Sequence, residues 1–590
     1  MKELCYPFDS AYIIKKKRSI KKALLADGSQ RIEKRIAVLG GSTTGDIVAT
    51  LELFLLDNGI QPAFYESEYN AYWQDAMFGN EELDSFKPDV IFIHTSNRNI
   101  TETLSMAMTR EQVDEALDRQ LEHFTVMWKK LSEKFGCAII QNNFELPLYR
   151  LLGNRDAYDF HGMTSFISRL NEKFCEYARD NKNFYISDIN YLSASYGLEK
   201  WSNPLYWYMY KYALCLEAVP YLSHSVANII KSLYGKNKKA FALDLDNTLW
   251  GGIVGDDGVD NLALGEETAT AQAYREFQLY VKKHKELGVM LSVCSKNEEE
   301  NAIAGLNHPD GWLRPDDFVN IKANWDPKDR NISAIASEIN ILPESMVFVD
   351  DNPAERAIVA GQLPGVAVPE MDTVENYIRT IDRNGYFEVT SFSEDDLKRN
   401  EMYIANAKRA KQQASFENYE DYLLSLQMSA QICDFEPVYI DRITQLTNKS
   451  NQFNLTTKRY TPAQMQEVYD SDSYIRLFGK LSDKFGDNGV VSVVIGKKQD
   501  NELHIDLWLM SCRVLKRDME YAMLDRLAEE SKKQGITKLK GYYYPTAKNK
   551  MVKNLYSDFG FEKLSEDEQG NAVYELDISG YERKCKVIEF

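Results

Sequence analysis

The sequence predicts a multidomain α/β protein, on three observations. From Arg35 to about Tyr234 apolar strands alternate with amphipathic helices, near the middle an apolar strand ends on the carboxylates Asp244 and Asp246, and from about Ala430 strands and helices recur in a different order. Alternating strands and helices indicate a parallel sheet covered on both faces. A chain of 590 residues is too long for one core. At about 150 residues per domain it suggests three or four. The expected division is an N-terminal extension over 1–34, a first α/β domain over 35–235, a central domain over 236–385, a helical linker over 386–429, a third domain over 430–580 and a tail over 581–590.

The N-terminal α/β pattern reads as a strand Arg35–Leu39, a helix 46–57, a strand Val90–His94, a long helix 109–135 and a strand 137–141. Gly40 to Gly45 forms a small-residue turn that feeds a helix, a place where an anion can bind or a hydroxyl can be exposed. The aromatic-rich stretch Trp201 to Tyr212 reads as core. The basic run Lys15 to Lys22 lacks a following apolar region, so it reads as a solvated helix face and not as a targeting signal.

The central segment Phe241 to Trp250 places Asp244 and Asp246 two residues apart at a strand's carboxyl end, where open α/β sheets put their chemistry. Alternation turns both toward one pocket unless the turn starting at Asn247 rotates the second away. A strand 289–293 then leads to Cys294-Ser295-Lys296-Asn297, Lys328 follows in NWDPK, and the strand Met346–Val349 runs into Asp350-Asp351. Phosphoryl transfer needs a metal, a cation and hydrogen-bond donors placed in advance. In that logic Asp244 and Asp350 are side-chain ligands of Mg²⁺ with the carbonyl of Asp246. Asp244 is also the nucleophile and Asp246 the proton carrier. Lys328 neutralises the phosphate, and Ser295, Thr248 and Asn297 offer it polar groups. Asp351 serves as a ligand through water or as a partner of the ligands, and the sequence does not choose between them.

The ordered set Asp-x-Asp-x-Thr, strand-Ser, Lys and strand-Asp-Asp resembles the four motifs of the haloacid dehalogenase (HAD) phosphotransferase superfamily. Only one helical stretch, Thr268 to Leu287, separates the first two motifs, which leaves no room for a large cap. The N-terminal segment resembles the SGNH hydrolase-like fold, with Ser42 in the nucleophile's position and Asn97 as an oxyanion donor. No histidine has an aspartate three residues before it, so the family's base is missing. The order of helix 439–448, strands 490–495 and 504–510, helix Met519–Lys533 and strand 538–543 resembles a GNAT acyltransferase-like domain. In that family a loop at a helix N-terminus cradles coenzyme A. The matching loop here carries Arg513, Val514 and Leu515, with Lys516 and Asp518 where glycines would stand.

Together LDLDNTLWGG, VCSKN, FVDDNPAER, FNLTTKRY and MSCRVL resemble the FkbH-like family, HAD subfamily IIIC. The resemblance implies transfer of a glyceryl-type acyl group from an acyl phosphate of the 1,3-bisphosphoglycerate kind to an acyl carrier protein. It implies Asp244, Asp246, Ser295, Lys328, Asp350 and Asp351 as the phosphoryl and metal site, with Cys294 as a candidate acyl acceptor or a packed strand residue. The alternative is a phosphatase acting on a sugar or other small phosphate.

The formal charge of −19 disfavours nucleic acid as a partner. No apolar run approaches the roughly twenty residues that span a bilayer, so a cytoplasmic protein is expected. Eight cysteines without a CxxC pair argue against zinc and against a disulfide framework.

Overall fold

The computed structural model describes residues 1–391, 402, 405–406, 408–409, 412–413, 415–450, 452–546 and 548–590, so most of the expected linker helices lie outside the described residues. The chain forms two compact units, 1–236 with 461–464, and 237–460 with 465–590.

In the N-terminal unit five strands, β1 (Ile32–Gly40), β2 (Ile60–Glu66), β3 (Val90–His94), β4 (Ala138–Asn142) and β5 (Phe184–Ser187), pair in parallel in the order β2-β1-β3-β4-β5. This is the flavodoxin-like doubly wound order. Strand residues alternate between two cores: Ile36, Val38 and Phe92 join helices α1 (Ser10–Ala26), α2 (Gly45–Asp57) and α5 (Val219–Leu233), while Ala37, Leu39, Ile91 and Ile93 join α3 (Arg110–Phe135) and α4 (Met163–Asp180). The basic run lies on α1, where Lys17 and Lys21 pair with Asp46 and Glu52 of α2 at 2.6 and 2.7 Å. Its apolar residues Ile13, Ile20 and Leu24 enter the core, so part of the expected N-terminal extension packs on the sheet. The Trp201 to Tyr212 reading needs correction. Trp201 is buried, but the short helix Pro204–Tyr210 buries no side chain and leaves Leu205, Tyr208, Met209 and Tyr210 exposed.

The second unit carries a four-stranded parallel sheet, β6 (Ala240–Leu243), β7 (Met290–Ser295), β8 (Asn320–Ala323) and β9 (Met346–Val349), in the order β8-β7-β6-β9. Helix α6 (Ala269–Glu286), begun by the Thr268 hydroxyl accepting from the Ala271 amide, covers one face, and α7 (Lys328–Glu338) covers the other. A larger mixed sheet follows, in the order β16-β17-β15-β14-β13-β12-β10-β18. It consists of β10 (Met428–Cys433), β12 (Tyr474–Asp483), β13 (Gly486–Gln499), β14 (Glu502–Met510), β15 (Lys538–Tyr543), β16 (Glu562–Glu566), β17 (Ala572–Asp577) and β18 (Ile588–Glu589). Helix α8 (Met519–Lys533) packs on one face, and the short strand β11 (Phe453–Asn454) pairs with β14. Strands β14 and β15 are parallel around the crossover through α8, as expected for a GNAT-like shell.

Two buried carboxyl groups set expected outcomes. Asp483, with a side chain 0% exposed, accepts from Arg409 at 2.6 and 2.8 Å and lies 3.3 Å from Arg517. Asp483→Ala leaves two guanidinium groups buried without their carboxylate and should cost about 3–5 kcal/mol in urea unfolding. Glu145 follows β4, and burial pushes its carboxyl up to about 8. Its folded value lies above the ordinary glutamate value, so its contribution is fully present below about pH 4.3 and is lost as pH rises through about 8. Glu145→Gln should flatten that decline and raise the melting temperature at pH 8 by a few degrees in thermal scans.

Candidate active site at the strand ends of the central sheet

Strand β6 lies between β7 and β9, so its carboxyl end opens beside both neighbours' loops. The Asp244 amide still donates to the Val349 carbonyl at 2.9 Å, which holds Asp244 in sheet geometry. The chain then turns: the Thr248 and Leu249 amides donate to the Leu245 carbonyl, and Asn247 takes a left-handed φ of 54°. Hydroxyls of Tyr274 and Tyr377 reach the Asn247 carbonyl at 3.2 and 3.3 Å, and its side-chain oxygen accepts from Gly252.

The turn separates the two aspartates. Oxygens of Asp244, Asp350 and Asp351 lie within 4.8 Å of one another, and the Asp246 carboxylate is not among them. Asp246 Oδ1 accepts from Trp250 Nε1 at 2.9 Å and from the Val254 amide at 3.1 Å, and Oδ2 accepts from Asn297 at 2.9 Å. Burial raises its pKa despite those donors.

Lys328 opens α7 with its side chain 3% exposed, and its ammonium lies 2.9 Å from Asp244 and 2.5 Å from Asp350. Burial pulls this ammonium down, and the two carboxylates more than reverse it, leaving it raised. Asp350 is raised by burial and by Asp244, and Asp351 likewise. Three carboxylates against one ammonium leave an excess of negative charge in a largely buried crevice, an arrangement that costs energy unless a cation balances it. Hard oxygen donors of this kind fit Mg²⁺.

Several expected roles change. Thr248 Oγ1 donates to Asp351 at 3.3 Å and accepts from the Asp351 amide at 3.1 Å, so the hydroxyl expected at the phosphate holds the acidic loop instead. Asn297 orients Asp246. Ser295 is buried at the end of β7, its carbonyl accepting from the Asn324 amide. Cys294 has the opposite placement from a reactive thiol. It is 0% exposed and packs with Ala240, Ala242, Met290 and Ile332 on the face that α7 covers, because strand side chains alternate and its neighbour Val293 joins the other core. Burial pushes the thiol up, so the expected depressed pKa is not found.

Sequence reasoning missed Arg356, which donates to the carbonyls of Asp350 and Asp351 at 2.8 and 2.7 Å and pins the acidic pair. It sits at the end of FVDDNPAER, and an arginine six residues past an acidic strand end was the available signal. It also missed Trp250 as a donor to Asp246.

In the N-terminal unit the Ser42 hydroxyl is buried and has no hydrogen-bond partner among the described residues. The Asn97 amide, expected as an oxyanion donor, is turned to the carbonyls of Glu145 and Leu146 at 3.5 and 3.4 Å. Asn99 reaches the Ser42 loop instead, donating to the Gly41 carbonyl at 2.9 Å, an approach that a Cβ on Gly41 would block. The expected coenzyme A loop is also filled from within. Arg513 and Val514 are buried, and Leu515 packs on the core. Arg517 and Asn406 bind the Arg513 carbonyl, and the Tyr419 hydroxyl donates to the Lys516 carbonyl. Lys516 and Asp518 both have left-handed φ, at 62° and 61°.

Comparison with known proteins bears on residues in both units. The family model described as FkbH, N-terminal domain, matches residues 35–231. No curated protein matches the chain. The N-terminal part of BF1531 from Bacteroides fragilis, a structure containing a phosphatase domain complexed with Mg, is 30% identical and covers 64% of this chain and 99% of its own, with a TM-score of 0.59. The Escherichia coli ribosomal-protein-S18-alanine N-acetyltransferase matches at 14% identity over 27% of this chain and 99% of its own, with a TM-score of 0.21. Given the FkbH match and the identity over almost the whole of the phosphatase-containing structure, the chain belongs to the FkbH-like family of HAD-type phosphatase proteins.

Proposed function

We propose that the chain uses Asp244 as an aspartyl nucleophile in Mg²⁺-dependent phosphoryl chemistry on a small phosphorylated acid, and that it loads the acyl group of an acyl phosphate, of the 1,3-bisphosphoglycerate kind, onto an acyl carrier protein. The observation that carries the reading is the Asp244, Asp350 and Asp351 cluster with Lys328 seated on two of its members.

In this reading Asp244, Asp350 and Asp351 hold the metal, which supplies positive charge to the phosphoryl oxygens. Asp244 Oδ attacks the phosphorus of the ester phosphate, whose bond to the leaving alcohol oxygen breaks, and the acyl phosphate stays intact for the loading step. Asp246, held apart from the acidic cluster and raised by burial, is suited to carry a proton to that oxygen. Asn297 and Trp250 fix its two oxygens in place. Lys328 balances the nucleophile before attack and the phosphate afterwards, while Arg356 and Thr248 keep the Asp350-Asp351 backbone from shifting. The aspartyl phosphate is then hydrolysed by water. Loading the carrier breaks a different bond: its thiol adds to the acyl-phosphate carbonyl, the thioester forms and phosphate leaves. Cys294 has no part in that step, since its thiol is buried in the opposite core.

The alternative is a phosphatase acting on a sugar or other small phosphate, and the phosphatase domain named for the Bacteroides structure favours it. Intact-mass analysis after incubation with Mg²⁺, freshly generated 1,3-bisphosphoglycerate and candidate carrier proteins separates the two. A glyceryl-sized gain on the carrier supports acyl transfer, whereas phosphate release with an unmodified carrier supports the phosphatase. Asp244→Asn should lower phosphate release by about 10³-fold or more while leaving the melting temperature nearly unchanged. Cys294→Ala should retain phosphate release and carrier loading within about threefold, since it trims a packed side chain and removes no reacting group.

A further inference from the structure

The loops around the Asp244 crevice carry two exposed apolar side chains that the phosphoryl chemistry does not use. Trp325, between β8 and α7, leaves 68% of its surface to water, and Ile253, on the loop after β6, leaves 45%. Exposed apolar surface beside a reactive crevice points to something that covers it. The indole is also held in place: Trp325 Nε1 donates to Glu298 Oε1 at 2.7 Å. Glu298 follows β7, which lies between β8 and β6, so the ring reaches from the edge strand's loop toward the strand that carries Asp244. Its loop is braced from below. The Asn324 amide donates to the Ser295 carbonyl at 3.1 Å, and Asn331 donates to the Asn324 side chain at 2.8 Å.

Both residues connect to Asp246, one through each of its oxygens. The Glu298 amide donates to Asn297 Oδ1 at 2.9 Å, and Asn297 Nδ2 donates to Asp246 Oδ2 at 2.9 Å. On the other side Asp246 Oδ1 accepts from the Val254 amide at 3.1 Å, and Ile253 is the residue before it. Val254 enters the core while Ile253 stays at the surface, its own amide donating to Asp257 Oδ2 at 2.8 Å. Asp246 is the group that meets the leaving alcohol oxygen. The remainder of the substrate leads from that oxygen away from Asp244, Asp350 and Asp351, which puts its acyl end between the loops of Ile253 and Trp325.

We propose that Trp325 and Ile253 receive the thiol-bearing arm of the acyl carrier, of the pantetheine class, an inference that rests on the acyl-transfer reading. Such an arm is an uncharged chain of methylenes and amides. An indole already fixed by Glu298 offers it a large apolar face with little ordering cost. The nearby charges of Lys296 and Glu355 satisfy each other at 2.6 Å, which suits the entrance to an uncharged chain. Holding the arm converts attack by a free thiol into a nearly unimolecular step. The sulfur then adds to the acyl carbonyl, the C–O bond to phosphate breaks, and the thiol proton passes to solvent.

The test measures thioester formation by the full-length protein with Mg²⁺ and freshly generated 1,3-bisphosphoglycerate. The acceptor is pantetheine, and the comparator is N-acetylcysteamine, which has the same thiol and first amide without the rest of the arm. After subtraction of the uncatalysed rates, the wild-type protein should use pantetheine with kcat/KM at least about tenfold above the comparator. Trp325→Ala should bring that ratio to within about twofold of one through a higher KM for pantetheine, and Trp325→Phe should keep most of it. Both thiols are compared in the same variant, so a general loss of structure lowers both rates and leaves the ratio in place. Equal use of the two thiols by the wild-type protein, or an undiminished ratio in Trp325→Ala, would overturn the proposal and leave acyl transfer standing. Phosphate release with no thioester on either thiol would overturn the acyl-transfer reading and this docking with it.

Discussion

The buried ammonium of Lys328 is the constraint on which the central sheet's crevice depends. Two carboxylates, Asp244 and Asp350, stand at the ends of adjacent parallel strands, and parallel register brings them close whatever their mutual repulsion. A positive charge between them makes that proximity tolerable. Lys328 can supply it because only residues 324–327 separate β8 from α7, whose first residue is Lys328 itself, and its ammonium reaches both strand-end carboxylates. The lysine balances only part of the charge, and Asp351 adds to the excess. The fold therefore stores a demand for a cation at the strand ends, one that a divalent ion held by these oxygens would meet.

The same geometry separates two aspartates that look equivalent in the sequence. Asp244 remains in the β6 ladder through its bond to Val349, whereas Asp246 lies inside the turn that Thr248 and Leu249 close on Leu245, with Asn247 in a left-handed conformation. One carboxylate is left close to a lysine and two acids, and the other receives three neutral donors. The environment, not the residue type, makes one suited to attack and the other to carry a proton.

Much of this was legible from local pattern. The strands 90–94, 346–349 and 538–543 and the helix 519–533 were bounded by apolar periodicity and match the observed elements, and the acidic pairs stood at strand ends as read. Strand β2, with a proline and alternating exposure, and β8, only four residues long and half-exposed, lacked an apolar run and were missed. At the site, sequence spacing identified which residues arrive but not what each touches. Thr248 and Asn297 bind protein groups because their partners, Asp351 and Asp246, come from elements far along the chain. Cys294 shows the opposite failure. Period-two alternation allows only one of Cys294 and Ser295 on a given face, so its adjacency to a site residue argued against it.

The large mixed sheet shows why topology alone does not carry function across a family. Its strand order and its parallel β14–β15 pair reproduce an acyltransferase-like shell. Yet the helix N-terminus of α8 is reached by Arg513, Arg517, Asn406 and Tyr419, all committed to protein partners, and the gap between the two parallel strands is occupied by residues 453–456. Opening the gap for a ligand's arm would break backbone bonds on both sides of residues 453–456, and opening the loop before α8 would strip the Arg513 and Lys516 carbonyls of their donors. A shell closed in this way keeps the stability of the fold while moving its accessible surface outward, to the rim where Tyr542, Tyr544 and the lysines of β13 meet solvent.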